Sequence, residues 1–279
     1  MRPILWNAAK SKKCLIVPKP YDHKYSRGVL GVITGSAQYP GAAVLSTKAA
    51  VATGVGMVRF YSSSGLAHLV LHSSPEVVVQ PGGVSAWLAG SGIVSNKYDD
   101  YTTWLRHRWF KVIGQQSVPT ILDAGALHLG GTFDQPTLIT PHAGELSKLF
   151  AKLGTSVSSD EISDFPAQWA REYSDLIGVT VLLKGSETVV ANGNLVIELP
   201  PATPWLATAG SGDVLAGIIG SIVATNEIEI LNSNNRLAEI AATGAFIHDL
   251  AARLASNGGP ISASMIIDQI PAAIRKILG

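Results

Sequence analysis

Short apolar runs rich in β-branched residues alternate with longer helical runs along most of the chain. Gly28–Thr34 and Ala86–Ala89 have the length and composition of buried strands, whereas Gly41–Thr53 is Ala-rich and precedes Gly54, which suits a helix C-terminal cap. Strands that alternate with helices build a mainly parallel sheet that is covered on both faces. The sequence therefore predicts an α/β fold of three layers, with a mainly parallel central sheet between helices.

The same alternation places the remaining elements. Further strands are predicted at Val55–Tyr61, Val77–Gln80, Thr120–Asp123, Thr137–Thr140 and Val179–Lys184. Val189–Ala191 and Leu195–Leu199 flank Asn192-Gly193-Asn194, a hairpin signal. Helices are predicted at Tyr98–Phe110, Gly144–Leu153, Asp160–Ile177, Gly212–Ala224, Arg236–Ala255 and Ser264–Leu278. Because no Pro-, Ser- or Gly-rich linker divides the chain, we expect a single domain over residues 1–279.

Charge and cysteine content indicate which partners and which cellular compartment suit the chain. The chain has 21 Lys and Arg against 20 Asp and Glu, and charged residues make up 15% of it. This balance argues against nucleic acid and anionic membranes, which require a basic excess. Low charge density favours a homo-oligomer, with a tetramer among the candidates. Cys14 has no second cysteine to pair with, and neither a signal peptide nor a run of ~20 apolar residues is found, so we expect a cytoplasmic protein.

The strongest local signal is a turn with two glycines that opens directly into an apolar helix. It consists of Gly210, Ser211, Gly212 and Asp213. Unpaired amides at a helix N-terminus, together with the helix dipole, form an anion hole that suits a phosphate. Asp213 has two readings: an acid that complements the dipole, or a base that accepts a proton from an attacking hydroxyl. Because a helix N-terminus favours the charged form of a carboxyl, we expect Asp213 to remain ionised at neutral pH.

A second polar segment follows a predicted buried strand and contains Lys184, Gly185, Ser186, Glu187 and Thr188. The lysine suits a phosphate, and the glycine lets a nucleotide approach the backbone. The alternative is an ordinary strand end with a solvated lysine.

Three further turns fall where parallel strands end, the edge at which such sheets bind ligands. In Thr140–Glu145, His142 is either a ligand contact or structural, and Glu145 either lines the rim or favours the helix that follows. No second His or Cys stands nearby at metal-ligand spacing, so we expect no metal site built by the protein alone. Ala42 either borders a ligand or packs its helix on the sheet. Gly90–Gly92 and Asp123 are weaker candidates for lining a pocket.

Taken in order, these segments resemble the ADP/ATP-dependent NAD(P)H-hydrate dehydratases, a ribokinase-like, carbohydrate-kinase-related family that repairs hydrated nicotinamide cofactors. The segments are His23-Lys24, GVLGVITGS, YPGAAVLSTKAA, LDAGAL, TPHAGEL, LLKGSETVVANG, ATAGSGDVLAGII and GAFIHD. Ribokinase-like proteins in general share only the GxGD turn, so the ordered set is the specific part of the resemblance.

The resemblance implies a ribokinase-like fold and a two-step reaction. ADP phosphorylates the C6 hydroxyl of (S)-NADHX or (S)-NADPHX, and phosphate then leaves to restore the double bond. Asp213 would activate the hydroxyl, and Mg²⁺ would screen the phosphates. Gly212 and the residues from Lys184 to Thr188 would bind the nucleotide. Ala42, Gly92, His142 and Asp213 would contact the hydrated cofactor. The alternative is a ribokinase-like kinase that acts on a vitamin precursor or a sugar alcohol.

The chain departs from the family pattern in two segments. Tyr25 follows His23-Lys24 where the family usually has glycine, and Ser91 and Val94 replace the proline and last glycine of its GPGxG turn. The epimerase domain often fused to this family does not fit N-terminal to the dehydratase in 279 residues.

Overall fold

The computed structural model describes residues 3–62, 64–94, 101–233 and 235–279. Across these ranges no helix combines the length and apolar character needed to cross a membrane.

The described ranges contain nine strands and eleven α-helices. The strands are β1 (Ile4–Leu5), β2 (Val29–Ile33), β3 (Met57–Phe60), β4 (Ala86–Ala89), β5 (Thr120–Leu122), β6 (Thr137–Ile139), β7 (Thr180–Leu183), β8 (Val189–Asn192) and β9 (Leu195–Glu198). The helices are α1 (Ala8–Lys12), α2 (Pro40–Thr53), α3 (Ser64–Ser73), α4 (Tyr101–Trp109), α5 (Ala143–Lys152), α6 (Ser159–Asp164), α7 (Pro166–Ile177), α8 (Ser211–Thr225), α9 (Glu227–Leu231), α10 (Arg236–Ser256) and α11 (Ala263–Leu278). Short 3₁₀ helices occupy Phe110–Gln115, Ala124–Leu129 and Pro204–Leu206.

Within the described residues, all nine strands form one sheet in the order β1-β9-β8-β7-β6-β5-β4-β2-β3. The pairs from β3 across to β7 are parallel, as is β1 with β9, whereas β8 runs antiparallel to both of its neighbours. The predicted hairpin is therefore β8–β9, and the predicted mainly parallel sheet is confirmed.

Helices cover both faces of the sheet. Apolar side chains of α2, α8, α10 and α11 pack on one face, and those of α5, α7 and the 3₁₀ helix Phe110–Gln115 pack on the other. Every residue of β2 is buried, which explains why its sequence is a continuous apolar run rather than an alternation. The three-layer α/β/α prediction is confirmed.

Some predicted elements differ from the structure. Val77–Gln80 is not a strand, because only Val78 forms a bridge, with Arg59. The helix predicted over Asp160–Ile177 is broken at Phe165, which has left the helical region with φ −129° and ψ +57°; a following proline disfavours the helical conformation. Of the helix predicted over Tyr98–Phe110, residues 98–100 lie outside the described residues.

The carboxyl ends of β2, β4, β5, β6 and β7 meet along one edge of the sheet, since these strands are parallel. The first turn of α8 comes to the same edge, beside the end of β7. The candidate residues predicted from the sequence lie along this edge.

Candidate active site

The first turn of α8 presents unpaired amides. Gly210 precedes the helix with φ +84°, and its carbonyl accepts the first helical hydrogen bond, from the amide of Val214 at 3.1 Å. Ser211 donates its amide to the Thr208 carbonyl at 3.3 Å. Among the described residues, no oxygen accepts a hydrogen bond from the amides of Gly212 and Asp213. The amides of Gly212 and Asp213 are thus free to bind an anion, whereas the amide of Ser211 is already engaged; the anion hole itself stays a prediction.

Glycine at position 210 is required on two counts. Its positive φ is unfavourable for residues with a Cβ. In addition, a Cβ there would lie 2.5 Å from Leu45 Cδ1 on α2. The glycine thus lets α2 and the first turn of α8 approach closely at the edge of the sheet.

Lys184 lies directly after β7 and reaches into a group of carboxylates. Its Nζ donates to Asp123 Oδ1 at 2.9 Å and lies 3.8 Å from Glu145 Oε2. A Cβ added to Gly212 would be 3.8 Å from the same nitrogen. The reading of Lys184 as a solvated strand end is wrong, because its ammonium group lies between two carboxylates and the first turn of α8.

Asp123, which follows β5, is 4% exposed and saturated with donors. Besides Lys184, the hydroxyls of Ser91 and Thr140 donate to it, each at 2.8 Å. Burial alone would raise the pKa of Asp123, but the Lys184 charge and the three donors hold that pKa below its usual value. Ser91, which stands where the family pattern has proline, supplies one of these donors.

Asp213 behaves differently from Asp123. Burial raises the pKa of its carboxyl to about 7, the Asp123 charge acts in the same direction, and Lys184 opposes both. Asp213 is therefore only partly ionised at neutral pH, and the expectation of a fully ionised carboxylate is wrong because burial and the Asp123 charge raise its pKa. A pKa near 7 is the range in which a carboxylate is an effective general base at neutral pH.

A cavity of about 690 Å³ opens beside this turn. Of the residues predicted to bind a nucleotide, five line it: Lys184, Gly185, Ser186, Thr188 and Gly212. Glu187 does not; it faces a neighbouring cavity lined also by Leu5 and Phe165. Its lining also includes Pro204, Leu206 and Leu215, so the cavity offers both polar and apolar side chains to a ligand.

His142 both lines the cavity and caps α5. Its Nδ1 accepts hydrogen bonds from the amides of Gly144 and Glu145 at 3.1 and 3.3 Å, and Glu145 Oε2 accepts from the His142 amide at 2.9 Å. This reciprocal arrangement is a capping box with histidine in place of serine. The structural readings of His142 and Glu145 are thus confirmed, while the imidazole remains 60% exposed at the rim.

Ala42, in the first turn of α2, lies against Gly92, in the turn that follows β4. A Cβ at Gly92, whose φ is +66°, would lie 2.3 Å from the Ala42 Cβ. Ala42 is 5% exposed, which bears out the packing alternative. A contact between Ala42 and a ligand would therefore involve its backbone.

Arg106 on α4 is a feature that the sequence gave no signal for. Its guanidinium is buried and donates to the carbonyls of Thr34, Gly35 and Tyr61 at 2.7–2.8 Å. Burial lowers the pKa of Arg106 to about 10. The side chain ties together the backbone that follows β2 and β3, on the same side of the site as Ala42 and Gly92.

The donor set fits a Mg²⁺ ion that arrives with a nucleotide. No group of three metal-ligating side chains occurs within the described ranges. Asp123 is saturated, but Glu145 uses only Oε2 in the bonds described above. Mg²⁺ characteristically combines one or two carboxylates with phosphate oxygens and water. Glu145 is the side chain that would hold it.

Comparisons with known proteins agree with this geometry. Residues 30–272 match the carbohydrate-kinase-type family (Carb_kinase) described as NAD(P)H-hydrate dehydratase. The chain is 40% identical over 223 residues to the bifunctional NAD(P)H-hydrate repair enzyme Nnr of Mycobacterium tuberculosis, covering 75% of this chain and 43% of that protein. It is 31% identical over 274 residues to the ADP-dependent (S)-NAD(P)H-hydrate dehydratase of Neisseria meningitidis, covering 91% and 86%.

The chain spans about half the length of the bifunctional relatives it matches. Its fold is similar to that of the ADP/ATP-dependent NAD(P)H-hydrate dehydratase from Bacillus subtilis co-crystallised with ATP and Mg²⁺, with a TM-score of 0.83 at 22% identity over 99% of both chains. The family match covers most of the sequence. The chain belongs to the NAD(P)H-hydrate dehydratase family.

Proposed function

We propose that this chain catalyses the ADP-dependent dehydration of (S)-NADHX and (S)-NADPHX to NADH and NADPH, yielding AMP and phosphate. The observation that carries the proposal is Asp213, a carboxyl with a pKa of about 7 next to the free amide of Gly212 and the Lys184 ammonium. The activities named for its relatives support the same chemistry.

The cavity beside Lys184 is the proposed nucleotide site. The adenosine part would lie near the apolar side chains of Leu206 and Leu215, and the phosphates would lie toward Lys184 and Gly212. Free amides at a helix N-terminus stabilise the charge that develops on a transferring phosphoryl group. Mg²⁺ bound with the phosphates through Glu145 would neutralise part of their charge.

The first step is phosphoryl transfer. The C6 hydroxyl oxygen of the hydrate forms a bond to the β-phosphorus of ADP, the bond to the bridging oxygen breaks, and AMP leaves. The hydroxyl proton passes to Asp213 Oδ1 or Oδ2, which requires this carboxyl to be ionised beforehand. Because its pKa is about 7, a substantial fraction is ionised at neutral pH.

The second step is elimination. Phosphate is a much better leaving group than hydroxide, so the C6–O bond of the phosphorylated hydrate breaks readily. Loss of phosphate from C6, with loss of a proton from the neighbouring carbon, restores the double bond of the reduced nicotinamide. We propose that Ala42, Gly92 and His142 border the hydrate on this side of Asp213.

The test is to incubate the protein with (S)-NADPHX, ADP and Mg²⁺ and to follow the absorbance of reduced nicotinamide. We expect NADPH, AMP and phosphate to appear in equal amounts. The alternative, a kinase of similar fold, predicts no NADPH, together with consumption of ADP or ATP on a vitamin alcohol. The family match favours the dehydratase.

Three wider features of the protein are also proposals. We infer that residues 1–279 form one domain, because a single sheet includes both β1 and β9 and helices from α2 to α11 pack on it. The low charge density supports a homo-oligomer. We propose that it works in the cytoplasm, since its single cysteine has no second cysteine for a disulfide.

A further inference from the structure

A buried histidine on α10 contacts the first turn of α8. His248 Nε2 and Ser211 Oγ are 3.2 Å apart, and both residues are 6% exposed. The two residues are 37 positions apart in the chain, yet both line the cavity of the proposed nucleotide site. Neither the capping of α8 nor the proton transfer at Asp213 requires this contact.

The Ser211 hydroxyl is the donor that this residue still has available. Its amide already donates to the Thr208 carbonyl, so Ser211 does not contribute to the anion hole through its backbone N–H. The amides of Gly212 and Asp213 on the same turn remain free. A hydroxyl hydrogen directed into the cavity would add a third donor to that pair.

His248 is neutral at physiological pH. Burial lowers the pKa of its imidazole to about 4; a backbone hydrogen bond with Ser211 opposes this effect, and the Lys184 charge adds to it. A neutral imidazole carries one N–H. When that hydrogen is on Nε2, the ring donates to Ser211 Oγ, and the hydroxyl hydrogen is free to point elsewhere.

The helix that carries His248 is tied to the cavity wall by the next residue along the chain. The next residue, Asp249, accepts a hydrogen bond from the amide of Thr203 at 2.7 Å and another from Arg253 Nε at 2.7 Å. Thr203 also lines the cavity. The hydrogen bond between Thr203 and Asp249 therefore ties α10, next to His248, to the cavity wall.

We propose that His248 is a positioning residue: it donates to Ser211 Oγ and thereby turns the Ser211 hydroxyl toward a phosphate oxygen of the bound nucleotide. The inference deepens the proposed function and rests on its nucleotide site. Ser211 makes the contact and His248 acts through it. The hydroxyl distinguishes a phosphate-bearing ligand from the bare nucleoside.

The experiment compares the binding of two ligands. ADP binding is measured by titration calorimetry, and adenosine binding by ligand-observed NMR. A hydrogen bond to a charged group predicts that Ser211→Ala weakens ADP binding by roughly 10- to 100-fold. Adenosine binding should change by less than about twofold, because adenosine has no phosphate. Ser221→Ala is the matched control. It also removes a hydroxyl from α8, but the Ser221 oxygen is buried and has no hydrogen-bond partner among the described residues.

His248 is tested with two variants and a cycle. His248→Leu should weaken ADP binding in the same direction as Ser211→Ala, whereas His248→Gln, which keeps a donor near the position of Nε2, should restore most of the affinity. The double variant of Ser211→Ala and His248→Leu should bind ADP no more weakly than Ser211→Ala alone, because the histidine acts through the hydroxyl. Thermal unfolding of each variant checks that it is folded. If His248→Leu does not fold, the ADP affinity of Ser211→Ala tests the inference instead.

The inference is overturned if Ser211→Ala binds ADP like the wild type, if ADP and adenosine weaken equally, or if the two single effects add. Failure of the proposed function is recognised separately. If wild-type protein binds ADP with the predicted pattern but forms no NADPH from (S)-NADPHX, the inference stands and the dehydratase proposal fails. If the wild type does not bind ADP, both fail.

Discussion

The two sides of the candidate site are built in opposite ways. On the side of Lys184 and Asp213, Lys184 and Gly212 line a cavity, and Asp213 follows Gly212 on the first turn of α8 without lining that cavity itself. On the side of Ala42 and Gly92, the backbone segments pack closely on one another. The buried Arg106 joins the backbone that follows β2 to the backbone that follows β3. The arrangement of the first side depends on electrostatic interactions between its charged groups. The close packing of the second side depends on its small side chains. Substitutions should therefore affect chemistry on the first side and packing on the second.

The largest effect is expected from Asp213→Asn. Loss of a positioned base should lower turnover of (S)-NADPHX by ~10² or more, while ADP binding stays within about tenfold of wild type. Turnover is measured by reduced-nicotinamide absorbance and ADP binding by titration calorimetry. Unchanged turnover would remove Asp213 from the mechanism.

Lys184→Met should reduce stability strongly, because it leaves the Asp123 carboxylate buried without its counter-charge. Breaking a buried ion pair from one side costs about 3–5 kcal/mol of unfolding free energy. Lys48→Met is the matched control: its partner, Asp268, is 63% exposed and 3.5 Å away, so the cost should stay below about 1 kcal/mol. Denaturant unfolding measures both. Equal losses in the two variants would show that Lys184 is not a buried partner of Asp123.

Gly92→Ala tests the packed side. The new Cβ would meet Ala42 Cβ at 2.3 Å on a backbone with φ +66°, so we expect a loss of about 1–3 kcal/mol in unfolding free energy. Gly41→Ala, on the exposed side of α2 with nothing within 4 Å of the new Cβ, should be neutral or stabilising by up to ~1 kcal/mol. If the two variants are equally stable, the close approach of Gly92 and Ala42 is refuted.

The smallest effect is a pH dependence set by Asp213. Since its carboxyl must be ionised to accept a proton and its pKa is raised to about 7, turnover should rise with pH through about 7 and fall roughly tenfold per unit below it. Stability runs in the opposite direction. The raised pKa makes the folded state bind more protons than the unfolded one between pH about 4 and 7, so Asp213 lowers stability as pH rises through this window.

The Asp213→Asn variant checks this sign. It should be more stable than wild type at pH 8, and the difference should disappear at pH 4, as followed by denaturant unfolding. The residual activity of the variant should also lack the limb centred near pH 7. If the turnover of the wild type instead fell only below about pH 4, the helix dipole would be keeping the pKa of Asp213 low, and the account of this carboxyl would be contradicted.

Local sequence was enough to predict most of the fold. Ala86–Ala89 has the predicted bounds because a buried parallel strand is a continuous apolar run, and the hairpin after β7 follows from Asn192-Gly193. An element held by distant contacts gave no pattern: β1 has two residues and exists through its pairing with β9. The break between α6 and α7 is different, because the Phe165-Pro166 step is a local signal that the prediction of one long helix overlooked.

The candidate site was predicted where it is local in sequence. The turn around Gly212 and the strand end at Lys184 have short, recognisable patterns. The state of each charge was not predictable, because it depends on partners that only folding brings together: Asp123 lies 61 residues before Lys184, and Ser211 lies 37 residues before His248. The pKa of Asp213 was misjudged for this reason, since burial and Asp123 do not appear in its local sequence.

The most direct test is a crystal structure of the Asp213→Asn variant with ADP, Mg²⁺ and (S)-NADPHX, in which slow turnover preserves both substrates. The account predicts the C6 hydroxyl within about 2.6–3.2 Å of the residue 213 side chain. It also places the β-phosphate at the amides of Gly212 and residue 213, and the adenine near Leu206. A hydrate bound with its hydroxyl far from residue 213, or phosphates bound away from that turn, would contradict it.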